Sequence, residues 1–549
     1  MGTEIESLWI LALTSKCSAL SSQNIPLLLL CLLLLAYLAV PAILCWGHPG
    51  GPAWGKYYNY LCRRRRNGEI FWERRIPGPR GYPVIGSMNL MSVGLAHRRL
   101  LAAAAAEEAG RGRRLMAFSM GETRVIITCN PDVAKEILYS SAFADRPVKE
   151  SAYRLMFNRA IGFAPYGAYW RTLRRISATH MFSPKQVNDF GDRRVEIAAQ
   201  MVAVIDGRDG EDFRVRDVLK VASLNYMMGL VFGGKYRIDS WKHDEETEEL
   251  SRLVEEGYEL LGKLNWADHL PWLACLDVQN VRFRCSKLVP RVNRFVNRIV
   301  EQHRASKAAG SKTNQDFVDV LLSLEGGPDK LSDADLVAVL WEMIFRGTDT
   351  VAILMEWVLA RIMLHPDVQS TVHNELDKIV GRSRPLIESD IPSLAFLRAV
   401  IKEVLRLHPP GPLLSWARLS ITDTTIDGYH VPAGTTAMVN MWAIARDPQV
   451  WADPVKFSPE RFVAHEAELE FSVMGSDLRL APFGSGRRSC PGKTLGLATV
   501  SHWLGTLLHE YEWLPSDKNQ VDLSEVLRLS CEMASPLVAK VRRRRRFDK

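Results

Sequence analysis

A mainly helical fold with small antiparallel β-sheets and an N-terminal transmembrane helix is what the 549-residue sequence predicts. Three observations carry it. Apolar residues recur at helical spacing over long, capped stretches of the C-terminal half. One shorter stretch alternates with a period of two around a glycine turn, and another has turn signals between β-branched runs. Finally, Ile25 to Trp46 is an uncharged, leucine-rich run, long enough for the roughly 20 residues that a bilayer core requires.

Taken in order, the leader before Ile25 holds only Glu4, Glu6 and Lys16 as charges, and Lys56, Arg63 to Arg66, Arg74, Arg75 and Arg80 follow the apolar run. This predicts an uncleaved anchor with a lumenal N-terminus and the bulk of the chain in the cytosol, the endoplasmic reticulum being the expected membrane. Ile76 to Gly86, I-P-G-P-R-G-Y-P-V-I-G, is held extended by its prolines. Leu100 to Glu108 reads as helix, and Arg114 to Cys129 as a hairpin turning at Gly121. Tyr169 to Met181 reads as a helix with Trp170 and Arg174 on one face. Residues 215–300 are helical in pattern and carry no catalytic signature.

Leu331 to His365 is the longest helical pattern, capped by Ser332 with Asp335 three residues on and stopped before Pro366. Within it, F-R-G-T-D-T-V holds Arg346, Gly347, Asp349 and Thr350. A mid-helix glycine costs about 1 kcal/mol, so Gly347 points to something that approaches the backbone. Pro366 to Ile379 and Leu394 to Leu407 are further helices, the second carrying the pair Glu403 and Arg406 at i, i+3. Ile421 to Arg446 has turns at Asp427-Gly428 and Pro432-Ala433-Gly434 and reads as a small antiparallel sheet. Glu512 to Val541 ends in a strand, and Arg542 to Arg546 form a basic tail expected to be solvated or to touch anionic lipid.

Net charge is +8, but Arg63 to Arg66 and Arg542 to Arg546 supply nine positive charges and leave the remainder close to neutral. Two local basic patches result, and no nucleic-acid surface. The nine cysteines are odd in number and lack a C-x-x-C pair, as expected of reduced thiols.

Cys490 stands apart by context. In Ala481 to Lys493, A-P-F-G-S-G-R-R-S-C-P-G-K, it follows Arg487 and Arg488 and precedes Pro491, Gly492 and Lys493. Pro491 is suited to open a helix running to about Tyr511, whose positive end would lower the thiol pKa. Gly484 and Gly486 allow a tight turn against a flat object, with the Phe483 ring nearby. A lone thiolate as the sole protein ligand suits haem iron better than zinc or an iron–sulfur cluster.

Phe483, Gly486, Arg488, Cys490 and Gly492 fill F-x-x-G-x-R-x-C-x-G, which resembles the haem-binding loop of the cytochrome P450 superfamily. Other motifs follow in its order. The proline-rich stretch resembles the hinge of membrane-bound members; Gly347, Asp349 and Thr350 resemble the oxygen-activation motif; Glu403, Arg406 and Arg461 (in F-S-P-E-R-F) resemble its structural triad. The resemblance covers essentially all of Pro77 to Lys549. F-R-G-T-D-T-V-A and I-P-G-P-R-G-Y-P-V-I-G-S-M resemble more closely the plant growth-regulating family 78, subfamily A, the plastochron group.

This resemblance implies a cytochrome P450 fold in four parts: 1–24 lumenal, 25–46 anchor, 47–86 basic linker and hinge, and 87–549 the haem-thiolate domain. Cys490 would be the axial ligand of haem b (iron protoporphyrin IX), with Trp170, Arg174, Arg488 and Arg418 on its propionates and Gly347, Asp349 and Thr350 on the distal side. Asp349 and Thr350 would deliver protons while dioxygen is activated and an apolar small molecule, a fatty acid for instance, is hydroxylated. Electrons would come from a separate NADPH-cytochrome P450 reductase, because no dinucleotide-binding G-x-G-x-x-G unit follows a strand. It would dock near Arg487 and Lys493. A reductase-independent haem-thiolate isomerase or dehydratase and a non-catalytic haem sensor remain alternatives, neither of which needs the acid–alcohol pair. Arg346 departs from the family pattern of Ala or Gly. It either binds a substrate carboxylate or pairs with Glu342 or Asp349.

Overall fold

The computed structural model describes residues 25–65, 74–92, 94–107, 110–208, 210–233, 245–309, 316–327, 329–414, 417–463 and 472–544. The expected lumenal segment 1–24, the side chains of Arg63 to Arg66, and Arg545 and Arg546 lie outside them.

The core is built around one helix, Asp333–Leu364. Its 32 residues span about 48 Å at 1.5 Å per residue. Ser332 caps it: the hydroxyl accepts from the Asp335 amide at 3.2 Å and donates to the Asp335 carboxylate at 2.6 Å. Pro366 starts the next helix, Pro366–Ile379. Of the 32 residues, 22 are buried, so the helix is apolar nearly all round and must be packed on every side. In its interior, burial lapses only between Arg346 and Val351. The fully buried Glu356 is compensated by Arg216 at 2.8 Å and by the Leu537 amide at 2.9 Å, which ties the neighbouring helix Val215–Phe232 and the C-terminal segment to it.

The hairpin pairs Met116–Met120 with Thr123–Thr128, and Thr424–Ile426 with Tyr429–Val431 form a second. The expectation of a self-contained antiparallel sheet across Ile421 to Arg446 is corrected, however. Thr436–Val439 pairs parallel to Thr123–Thr128 and antiparallel to Arg418–Leu419, giving a mixed four-stranded sheet. Periodicity reveals a strand but not its partner. At the C-terminus, Val538–Arg543 lies between Phe213–Arg214 and Tyr511–Pro515. The described part of the basic tail is not free: Arg542 pairs with Glu512, Arg543 with Asp206 and Glu510, and Arg544 with Asp377. Each arginine meets an acid on the element it packs against, which sequence distance hides.

A helix covers Ile25–Trp46, with Leu29, Leu30 and Leu33 exposed. Among the described residues no helix is long and apolar enough to cross a membrane, and most side chains of residues 25–40 lie outside those described.

A buried polar joint links the long helix to the C-terminal hairpin Glu525–Leu527 and Cys531–Met533. His408 stacks on Trp357 with centroids 4.0 Å apart. Its Nε2 accepts from Arg361 at 3.0 Å, so the proton sits on Nδ1, 3.3 Å from Glu525. Burial pushes His408 down to about 4, and also lowers His97, which is buried 3.5 Å from the same carboxylate. The unfolded chain therefore binds protons below about pH 6.5 that the folded chain refuses. Stability is expected to fall as pH drops from about 6.5 towards 4, with His408 contributing up to about 3 kcal/mol; His408→Gln should flatten a plot of denaturation midpoint against pH.

Candidate active site

A cavity of about 270 Å³ lies between the middle of Asp333–Leu364 and the loop carrying Cys490. The helix contributes Gly347, Thr350 and Val351; the loop contributes Phe483, Gly484 and Cys490.

Local geometry explains the loop. Gly484 and Gly486 both have φ of 67°, where only glycine is unstrained. A Cβ on Gly486 would collide with the Leu138 carbonyl. The Cys490 amide donates to the Phe483 carbonyl at 2.9 Å, which folds the loop back on itself. The helix that follows is Lys493–Glu510, with Gly492 at its N-cap, so Pro491 precedes the helix instead of opening it. The thiol pKa is corrected as well. Burial raises it, although the Gly492 amide, Arg346, Arg174 and Lys493 all pull the other way. Sγ is open to the cavity yet far from bulk water, and desolvation of a thiolate outweighs the nearby positive charge.

Positive charge dominates the lining. Arg146, Arg174, Arg346, Arg418 and Arg488 face the cavity, with Glu342 as the single carboxylate among the described residues. Arg488 donates to the carbonyls of Ala144 at 2.9 Å and Ala164 at 2.8 Å, and its guanidinium lies 4.3 Å from the Trp170 ring centre. Arg174 donates to the Ser489 carbonyl at 3.1 Å and Arg418 to the Ser485 carbonyl at 3.2 Å. Trp170 sends its indole N–H to the Ile161 carbonyl at 3.1 Å. Burial and mutual repulsion push Arg418 down to about 9 and Arg488 down to about 10. Arg146 is depressed for the same reasons. Asp145 lies 3.4 Å from Arg488 and offsets part of its charge; carbonyl dipoles hold the other donors without cancelling theirs, so the cavity is built for an anion.

Different faces of the long helix carry the two members of the expected acid–alcohol pair. Thr350 lines the cavity, but Asp349 does not; it lies 4.0 Å from Lys220, its carboxyl raised by burial. Adjacent helical residues diverge by about 100°. Gly347 lines the cavity and is closely approached, since a Cβ there would lie 2.5 Å from Met227 Cε. The close neighbour of this glycine is a side chain of Val215–Phe232.

The cytochrome P450 family model matches residues 76–533. The chain belongs to the cytochrome P450 family. Cytochrome P450 78A9 of Arabidopsis thaliana is 64% identical over 553 residues, spanning the whole of both chains. Cytochrome P450 78A3 of Glycine max is 61% identical over 98% of this chain and 99% of its own, and 78A11 of Oryza sativa subsp. japonica 48% over 98% and 97%. The resemblance to subfamily 78A thus runs through the full length. This P450 is a monooxygenase and an oxidoreductase, and membership implies haem b. Plant P450s usually associate with membranes, and the family generally works with a redox partner on small molecules. The cavity fits such a cofactor: one thiol faces it, apolar side chains surround it, and its surplus guanidinium charge is what a ring bearing two carboxylates would neutralise.

Arg146 is a lining residue of this P450 that sequence reasoning missed, and Glu342, named there only as a partner for Arg346, lines the cavity too. Arg146 sits in A-D-R-P, a tetrapeptide with no distinguishing spacing. The place of Glu342 in the lining could have been read from its position two turns before Thr350 on the same helical face.

Glu403, Arg406 and Arg461 lie outside the lining and form one buried cluster. Arg406 donates to both Glu403 oxygens at 2.8 Å, Arg461 to Oε1 at 3.2 Å, and the Ser458 amide to Oε1 at 2.9 Å. It fastens Ala395–Leu407 to the turn Pro459–Phe462. Glu403→Gln would leave the buried Arg406 charge uncompensated and is expected to lower the unfolding midpoint by the equivalent of about 3–5 kcal/mol in denaturant titration.

Proposed function

We propose that this P450 holds haem b through the Cys490 thiolate and hydroxylates an apolar small molecule, with a fatty acid the first substrate class to test. The observation that carries the reading is the presentation of one cysteine, opposite Thr350, to a cavity whose charge is almost wholly cationic. When bound, haem supplies the redox chemistry that cleaves dioxygen and places one oxygen atom in a C–H bond.

The chain's residues do the rest. Arg146, Arg174, Arg418 and Arg488 neutralise the propionates and orient the ring, with Trp170 packed beneath Arg488. Phe483 and Gly484 border it, and Gly486 sets the turn that aims Cys490. Thr350 holds a proton donor at the cavity wall. Asp349, on the outer side of the same turn, supplies protons from the direction of Lys220, which is about one third exposed. Arg346 binds the substrate's head group.

Electrons come from a separate NADPH-dependent reductase docked where Arg487 is exposed and Lys493 opens its helix. The helix Ile25–Trp46, uncharged and followed by basic residues, supports anchorage in the endoplasmic reticulum membrane with residues 47–549 in the cytosol. The resemblance to subfamily 78A supports a product that acts in plant growth or development.

Reversing charge with Arg487→Glu and Lys493→Glu should slow turnover several-fold when a reductase supplies electrons and leave peroxide-driven turnover unchanged; equal loss in both assays rejects the docking face. Arg346→Ala should weaken binding of a fatty acid about 10- to 100-fold, the worth of a charge-assisted hydrogen bond, while its neutral analogue binds as before. Equal weakening of both rejects the anchor.

A further inference from the structure

Glu342, Arg346 and Thr350 recur at i, i+4 and i+8 and all line the cavity, so the long helix presents them as one polar stripe. Gly162 closes over the end of that stripe. Its amide donates to Glu342 Oε1 at 2.8 Å, and a Cβ built on it would collide with that oxygen and lie 2.9 Å from Arg346 Nη1. Carboxylate and guanidinium therefore converge on one spot, covered by backbone with no room for a side chain. Glu342 is 2% exposed. The charged and titratable groups facing it are Arg346 from its own helix, Arg488 from the Cys490 loop, Arg146 from the segment before residue 150, and Tyr169 from the helix Ala168–His180; the Ile161 and Gly162 amides also point at it.

We propose that Glu342 is a specificity-determining residue: it shares Arg346 with the head group of an acidic substrate, so that such a substrate binds together with one proton held between the two carboxyl groups. The inference rests on the reading of Arg346 as head-group anchor. A substrate carboxylate reaching Arg346 puts two anions on one guanidinium in a buried place, and like charges so close cannot both ionise at ordinary cost. One proton taken from water relieves the repulsion: the two carboxylates become one carboxylate and one carboxylic acid, joined by an O–H···O⁻ bond. Burial already raises the Glu342 carboxyl, so it is the group prepared to keep that proton. An alcohol head group needs none.

Equilibrium dialysis of the full-length, haem-loaded protein in lipid nanodiscs, with empty discs subtracted, tests this with radiolabelled dodecanoic acid and dodecan-1-ol between pH 6 and 8.5. The expected result is acid affinity that falls with rising pH, approaching tenfold per unit where both free carboxyl groups are ionised, with alcohol affinity flat. In Glu342→Gln the acid should bind independently of pH and at least tenfold more tightly than in the wild type at pH 8.5. Acid affinity that is flat in the wild type, or equally steep in the variant, overturns the proposal. Calorimetry of the wild type in buffers of differing ionisation enthalpy needs no variant: one proton taken up per acid bound at pH 7.5 supports it, and none overturns it. The two readings fail separately. Acid binding that Arg346→Ala leaves intact defeats the anchor, whereas anchored binding with no proton uptake defeats only the role of Glu342.

Discussion

Concentrated positive charge inside the protein is the constraint on which the rest of the site depends. Five guanidinium groups around one cavity, with Glu342 as the only carboxylate among the described lining residues, would repel one another strongly in a medium of low dielectric constant. The fold contains this charge and cancels only part of it, through Asp145 at 3.4 Å from Arg488. Backbone carbonyls at residues 144, 161, 164, 417, 485 and 489 accept the donors, and the Trp170 ring lies under Arg488. Those carbonyls come from separate stretches of chain, so the cavity wall forms only when distant segments meet. The cationic lining is at once the binding potential for an anionic cofactor and a destabilising load on the protein without one.

The long helix makes this load bearable by being anchored at three levels. Its start is capped by Ser332, its middle faces the cavity, and its C-terminal half carries Glu356, Trp357 and Arg361, each bonded to another element. Because 22 of its residues are buried, it cannot rotate to repack without exposing apolar surface on one side or burying charge on the other. That rigidity keeps Thr350 and Asp349 on different sides of one turn, the first towards the cavity and the second towards Lys220.

What could be read from the sequence follows a physical rule. Features encoded within a few residues were legible: the Ser332 cap, the stop at Pro366, the Gly121 turn and the i, i+3 spacing of Glu403 and Arg406. Features that depend on distant partners were not. The turn signals within Ile421 to Arg446 announced strands but not the parallel neighbour of Thr436–Val439. The run of arginines after Val541 read as a loose tail because its acids lie at Asp206, Asp377, Glu510 and Glu512. Arg146 sits in an unremarkable tetrapeptide and is singled out only by its surroundings. For Cys490 the local argument found Lys493 and the helix end but not Arg346 or Arg174, and it could not weigh charge against burial, which depends on the whole fold.

The parallel pairing of Thr123–Thr128 with Thr436–Val439 bears on how the molecule is made. Val125 meets Thr436, so on the ribosome the first strand is synthesised long before its neighbour exists. At about 5–20 residues per second, the hairpin waits on the order of tens of seconds with one edge unpaired, while the Cys490 loop is still unmade. Nascent chains that stop short of the last quarter of the sequence therefore carry an open, apolar sheet edge, a ready target for chaperones and for misassociation between polysome neighbours. The cavity is thus among the last parts of the protein to form, and cofactor loading is in practice a step that follows translation.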